Sequence, residues 1–305
     1  MLLEITHNTL YQYSPDVEIA QHIAHLKPHT TNNQVVLNSN LSIEPKPDWY
    51  SETKDVFGNT CSFFSIQNKH QQLNITSQSL IETNNPGTLT AQLENSPPWE
   101  EVREYFRYHA QSNWNPAVEF TFPSPYVTQH PEFSEFTRSI FTVKRPTLEA
   151  AIDLMEQIHL KMRYTSESTE IDTPAFEALR RREGVCQDFS HIFLSCIRNL
   201  GLAGKYVSGY LLTDPPKGQP RLIGADASHA WASLYVPNID QNGELSEGRW
   251  YDFDPTNNRW GWGSPGEDYV SLAYGRDYSD ISPIRGVIHG GTEHTLDVAV
   301  TVKPA

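Results

Sequence analysis

The sequence predicts an α+β protein: a β-rich N-terminal domain, followed by helices that pack on an antiparallel sheet. Three observations predict it. Residues 1–90 carry β-branched and aromatic residues in partial alternation, punctuated by Pro, Gly and Asn, and contain no arginine; the first is Arg103. Helical spacing and helix-end signals then dominate up to Gly201. After Gly204 the pattern returns to strands, and a run of helices followed by a run of strands reads as α+β rather than as alternating α/β. The composition shift at "NNPGTLT" divides the chain into domains 1–90 and 91–305.

The elements follow in order. "LLEITHNTLYQY", "LNSNLSIEP", "DVFGNTCSFFSIQN" and "QQLNITSQSLIET" read as strands, with a Gly-Asn turn in "FGNTC". "SPPWEEVREYFRYHAQ" predicts a helix capped by Ser96, with prolines at its first positions and acidic residues in its first turn. "PTLEAAIDLMEQIHLKMRY" sets Leu148, Ile152, Met155 and His159 at helical spacing. "TPAFEALRRREG" predicts a short helix with Thr173 as N-cap, Pro174 at its first position, three arginines in its last turn and Gly184 as its stop. "CQDFSHIFLSCIRNLG" places Cys186, Phe189, Phe193, Cys196, Ile197 and Leu200 on one helical face, and Gly201 closes it. "KYVSGYLL", "SHAWASLYV" and "RWYDFDP" are strands, and "HTLDVAVTVKP" alternates strictly as a last strand. Between them "NNRWGWGSPGED" reads as a mobile loop near Asp254, which either covers a cleft or packs its tryptophans on the sheet.

Composition narrows the function classes. The 305 residues hold 23 basic and 37 acidic side chains, a net charge of −14, which disfavours nucleic acid and anionic membranes as partners. Three cysteines, Cys61, Cys186 and Cys196, are too few for a disulfide framework, and no CxxC pair suggests zinc. No cofactor and no metal are expected. The opening "MLLEITHNTLYQYS" lacks the basic and apolar regions of a signal peptide, and no run approaches the roughly 18 apolar residues of a membrane helix. A cytoplasmic location is expected.

The chemistry centres on "GVCQDFSH". Cys186 opens a helix just after Gly184, where unsatisfied N–H groups and the helix dipole favour a thiolate and could hold an oxyanion. Taken alone, a cysteine here is more often a small apolar residue starting a core helix. Cys196, deeper on the same face, and Cys61, in a strand, read as core. His191 lies five residues along the same helix, about 140° around from Cys186, a poor position for its base; a metal site on Cys186 and His191 lacks the expected ligand number. In "SHAWASLYV" His229, Trp231, Ser233 and Tyr235 share one strand face and an apolar row takes the other. In "WYDFDPTNN" Asp252 and Asp254 share a face, and Asp254 stands at the strand end before Pro255. A cysteine at a helix start, a histidine on one strand and an aspartate on the next form a nucleophile, base and orienting-acid set. Tyr164, Gln187 and Trp231 are candidates for a second oxyanion donor or for the cleft wall. "LRRRE" could attract acidic substrates or could simply complement a helix C-terminus.

The order Cys…His…Asp in "GVCQDFSH", "DASHAWASLYVP" and "WYDFDPTNN" resembles the transglutaminase-like superfamily of papain-like folds. "LLEITHNTLYQYS" and "DVFGNTCSFFSI" resemble the β-rich N-terminal region of the bacterial members, and "LGLAGKYVSGYL" and "GRDYSDISPIRGV" resemble further stretches, so that the likeness spans roughly 1–303. The resemblance implies a papain-like core over 91–305, with Cys186 as nucleophile, His229 as base and Asp254 as orienting acid. It also implies thiol acyl chemistry on a peptide or amide substrate through an acyl-enzyme, as in a cysteine peptidase or amidase. Acyl transfer to an amine and a non-catalytic binding module remain the alternatives.

Overall fold

The computed structural model describes residues 1–84, 96–110, 114–166, 168–213, 228–291 and 293–305. The composition shift expected to divide the chain falls on residues outside these. Residues Leu2–Lys27 form one long strand, β1, in which Leu3, Ile5, His7 and Thr9 point inward and alternate with more exposed neighbours. It is followed by β2 (Gln34–Glu44), β3 (Trp49–Lys54), β4 (Thr60–Ile66) and β5 (His70–Thr83), in the sheet order β2-β5-β1-β4-β3. The length of β1 follows from its two partners: its first half pairs with β5 from Leu2↔Glu82 to Gln12↔Gln72, and its second half pairs with β4 around Ala20↔Ile66.

The helical part holds α1 (Trp99–Tyr105), a 3-10 turn at Pro116–Thr121, α2 (Pro131–Thr137) and α3 (Thr147–Lys161), then a two-residue strand β6 (Arg163–Tyr164), α4 (Ala175–Arg181), β7 (Glu183–Gly184) and α5 (Cys186–Asn199). Several ends differ from the sequence reading. The first helix is shorter than "SPPWEEVREYFRYHAQ", begins after Pro98, and is not capped by Ser96; that hydroxyl instead accepts from Leu148 N–H at the start of α3 (3.1 Å). Thr173 does not cap α4, because its hydroxyl accepts from Glu170 N–H, 2.9 Å away, and Pro174 takes the cap position. The stop of α4 is Arg182, in the left-handed region at φ 59°, rather than Gly184. Gly184 is needed for another reason: a Cβ there would lie 2.7 Å from Asp188 Cβ and Oδ2.

The second sheet is β8 (Gly204–Leu211), β9 (Ser228–Ile239), β10 (Leu245–Asp254), β11 (Arg259–Trp262) and β12 (Tyr269–Gly275), antiparallel throughout in the order β11-β10-β9-β8-β12. Helix α5 lies on the face that carries Ala230, Ala232, Leu234 and Val236, in one cluster with Phe193, Leu194 and Ile197. Small side chains let the helix come close, and at Gly204 a Cβ would meet Ile197 Cδ1 at 2.3 Å. Every residue of α5 from Asp188 to Arg198 is buried, so it is a central helix rather than one with a single apolar face. The stretch read as a mobile loop, 257–268, contains β11. Trp260 stacks on Phe253 (centroids 6.3 Å apart) and Arg249 lies over the Trp262 ring, so the tryptophans are packed on the sheet.

The chain then returns to its beginning. Strands β13 (Ile284–Gly290) and β14 (Glu293–Pro304) pair with β1, from Ala24↔Ile284 to Leu3↔Pro304, and complete a seven-stranded sheet. Residues 284–304, placed with 91–305 in the sequence reading, are thus hydrogen-bonded into the N-terminal sheet. The inner face of that sheet, with Leu3, Ile5, Ile75, Ile81, Val300 and Val302, shares one apolar cluster with Tyr210, Val270 and Leu272 of the second sheet. Among the described residues, no helix is long and apolar enough to cross a membrane.

Candidate active site

The site is built at the N-terminus of α5. Val185, extended at φ −108° and ψ 179°, precedes the first turn, and its N–H donates to Asp188 Oδ2 at 2.8 Å. Thr169 Oγ1 donates to the same oxygen at 2.7 Å. This local closure leaves Cys186 at the first helical position, where its N–H has no intrahelical acceptor. Cys186 is half-buried, whereas Cys61 and Cys196 are buried. The short parallel pairing of Tyr164 with Gly184 brings β6 alongside.

His229 enters from the start of β9 and is 10% exposed. Its Nε2 lies 2.7 Å from Asp254 Oδ2 at the end of β10. Asp254 is fully buried, and it also accepts from Tyr269 OH (2.7 Å), Asn257 Nδ2 (2.7 Å), and the N–H groups of Thr256 (2.9 Å) and Asn257 (3.2 Å). Burial pushes the Asp254 carboxyl upward, but the bond and charge of His229 and the bonds from Asn257 and Tyr269 outweigh it and hold the group below its ordinary value. Burial would lower His229, but its bonds to Asp254 and Cys186 and their charges raise it to about 10. The two shifts agree: carboxylate and imidazolium stabilise each other. With Nε2 directed at Asp254, Nδ1 is the nitrogen left for the cysteine. The arrangement therefore brings together a thiol at a helix N-terminus, a protonated imidazole and a fixed carboxylate. It can hold a thiolate, deliver a proton, and offer one backbone donor to an oxyanion.

The remaining sequence candidates separate clearly. Asp252, on the same strand face as Asp254, is buried and accepts from Trp231 Nε1 (2.8 Å) and Ser233 Oγ (2.6 Å). Trp231 is therefore fully buried, with its N–H engaged by Asp252. Gln187 Nε2 donates to Ile171 O at 3.0 Å. Tyr164 is 52% exposed, and its phenol is raised first by burial and then by the charge of Cys186. His191 is a core residue: it accepts from Tyr278 N–H at 3.3 Å, stacks on Tyr126 and is held neutral by burial. The arginines of "LRRRE" are engaged: Arg180 pairs with Glu132, Arg181 with Glu177, and Arg182 lies over Phe136.

Two residues escaped the sequence reading. Asn257, three residues past Asp254, bonds Asp254 and comes within 3.3 Å of His229 Nε2; an Asp-Pro-Thr-Asn turn was a readable signal for it. Tyr269 reaches Asp254 from β12, across β8 and β9, and had no local signal. On β8, a Cβ at Gly209 would meet Val270 O at 2.1 Å and the Trp231 ring at 2.5 Å. Arg259 lies over the Tyr269 ring and grips Asp268 with both terminal nitrogens, at 2.5 and 2.6 Å.

Known proteins share this plan. Residues 3–82 match the bacterial transglutaminase-like N-terminal region, and residues 134–255 match the transglutaminase-like superfamily. An uncharacterized protein of Mycobacterium tuberculosis is 38% identical over 308 residues, which cover 98% of this chain and 92% of that protein. An uncharacterized protein of Mycobacterium leprae is 26% identical over 303 residues, covering 98% of each. The crystal structure of a putative cysteine protease from Cytophaga hutchinsonii is similar in fold, with a TM-score of 0.73 at 18% identity over 99% of this chain and 90% of that one. The chain thus belongs to the transglutaminase-like superfamily and carries the bacterial transglutaminase-like N-terminal region before its core.

Proposed function

We propose that the protein is a thiol-dependent amide hydrolase or peptidase acting through Cys186, His229 and Asp254. The observation that carries this reading is the 2.7 Å His229–Asp254 bond beside a cysteine at the first position of α5. His229 takes the Cys186 proton, and Asp254 supports the charge that the imidazole then carries. The thiolate attacks the amide carbonyl carbon, forming the C–S bond as the carbonyl π electrons move onto oxygen. The Cys186 N–H donates to that oxyanion, with the Tyr164 hydroxyl the remaining candidate for a second donor, since Gln187 and Trp231 are engaged elsewhere. Collapse breaks the C–N bond, and His229 gives its proton to the departing nitrogen. Water then attacks the thioester and passes a proton to His229, and collapse of the adduct frees the acid as His229 returns that proton to the Cys186 sulfur.

Kinship with transglutaminases favours a second reading, in which a primary amine rather than water resolves the thioester. The residues required are the same, so the products must decide. The test is a peptide-amide library with and without an added amine, together with iodoacetamide mapping of native protein at mildly acidic pH. Hydrolysis that disappears in Cys186→Ala, with Cys186 alkylated far faster than the buried Cys61 and Cys196, is expected. Amine adducts as the main product would favour transfer. Turnover that persists without Cys186 would overturn both.

A further inference from the structure

A second constellation, which shares no residue with the first, lies where the N-terminal sheet meets the second sheet. His25 of β1, Asp55 of the turn between β3 and β4, and Cys61 of β4 each offer one ligand atom, and these atoms all lie within 4.8 Å of one another. His25 and Cys61 are 3% and 2% exposed, and Asp55 is half-buried. His25 Nδ1 is 3.0 Å from the carbonyl oxygen of Ser282. A carbonyl only accepts, so Nδ1 carries the proton and the lone pair is on Nε2. That is the tautomer of a metal-binding histidine with its outer partner already in place. The Asp55 carboxylate is oriented by Phe57 N–H (2.9 Å), Asn59 N–H (2.8 Å) and Asn59 Nδ2 (2.7 Å). The Cys61 thiol donates to Asn59 O at 4.0 Å, and its sulfur also takes a backbone hydrogen bond from Asp55.

We propose that His25, Asp55 and Cys61 form a zinc site, with solvent as fourth ligand, that ties the β3–β4 turn to β1. The donor set of imidazole nitrogen, thiolate and carboxylate suits zinc; magnesium and calcium take oxygen ligands. Binding requires the Cys61 thiolate and so releases its proton. Burial first, and then the charge of Asp55, hold that proton on, whereas Arg285 and Lys54 favour its loss. Asp280, Asp55 and Arg285 also act on His25, with burial the largest influence and keeping the ring neutral. A dication held by one thiolate and one carboxylate sums to zero charge, which limits its repulsion by Arg285 and Lys54. The site also has a structural context. Asn59, which orients Asp55, donates to Tyr274 O (2.6 Å) and accepts from Tyr274 N–H (2.8 Å) on β12.

The experiment uses full-length Cys186→Ala protein, because Cys186, His229 and Asp254 are themselves a cysteine-histidine-aspartate set that zinc could occupy. Metal-stripped protein is titrated with zinc by calorimetry, and with cobalt(II) to read thiolate-to-metal charge transfer. One equivalent of zinc and a cobalt–thiolate band are expected. Adding Cys61→Ser should abolish the band, and adding Cys196→Ser should not. His25→Gln and Asp55→Asn should each weaken binding by at least about 100-fold, since changes to outer partners alone cost 10–100-fold. They serve as the test if the Cys61 variant does not fold. Absence of stoichiometric binding, or binding unchanged in folded His25→Gln and Asp55→Asn, would overturn the proposal.

Discussion

Asp252 and Asp254 sit two residues apart on one strand face, yet their surroundings assign them different work. Asp254 meets the imidazole, while Asp252 is spent on Trp231 and Ser233 and feels the charge of Lys205. Asp254→Ala should therefore slow acylation by an active-site probe on the order of 10²–10⁴, the range that general-base and orienting groups supply. Asp252→Ala should mainly lower stability, by about 1–3 kcal/mol, because it leaves the buried Trp231 Nε1 and Ser233 hydroxyl without their acceptor. Probe kinetics beside urea melts separate the two; a slower Asp252 variant with both proteins folded would reverse the assignment. The ion pair also has a pH signature. His229 is raised from 6.5 to about 10, so its contribution to stability is fully present below about 6.5 and is lost as pH rises through 10. Asp254 is lowered, so its contribution holds above its ordinary value and is lost as pH falls through the lower one. The melting-temperature gap between wild type and His229→Gln should accordingly narrow from pH 6.5 to 10; a constant gap across that range would contradict a charged pair.

At the scale of elements, the start of α5 is the piece that a small change should disturb most. Asp188 closes the turn through Val185 N–H and Thr169, and Gly184 leaves room for it. Asp188→Ala should cost about 1–2 kcal/mol, as N-terminal caps do, and should slow Cys186 labelling because the thiol loses its fixed position. Gly184→Ala should do the same by steric pressure on an intact carboxylate. Labelling at the wild-type rate in both folded variants would remove this turn from the site. The same region shows what could be read in advance. Alternation in "SHAWASLYV" and "HTLDVAVTVKP" and the span of α5 were legible, because side-chain periodicity is written locally. The cap roles of Ser96 and Thr173 were misplaced, because a hydroxyl near a helix start can serve a different helix or turn through a contact that only tertiary structure supplies. Periodicity also placed Asp252 and Asp254 on one face without ranking them. Tyr269 was invisible, because its bond to Asp254 crosses two strands.

At the scale of the molecule, the N-terminal sheet is finished by the other end of the chain. Residues Ile284–Pro304 cover the edges of β1 along most of its length, Val300 and Val302 enter its apolar cluster, and Ala305 N–H reaches Leu2 O at 3.1 Å. An isolated 1–84 segment would expose those edges as unpaired backbone and lose part of its core, both of which favour aggregation over folding. It should therefore show no cooperative melt. Because Pro304 pairs with Leu3, residues 284–305 can be joined in front of residue 1 through a short linker, restoring β13 and β14 without altering the direction of either strand. That rearranged segment should melt cooperatively, though below the full chain, since the face that meets Tyr210, Val270 and Leu272 stays open. Circular dichroism melts of the two segments and the full chain make the comparison. A cooperative transition in 1–84 alone would show that the return strands are an addition to the N-terminal sheet, and that the sheet folds on β1–β5 by themselves.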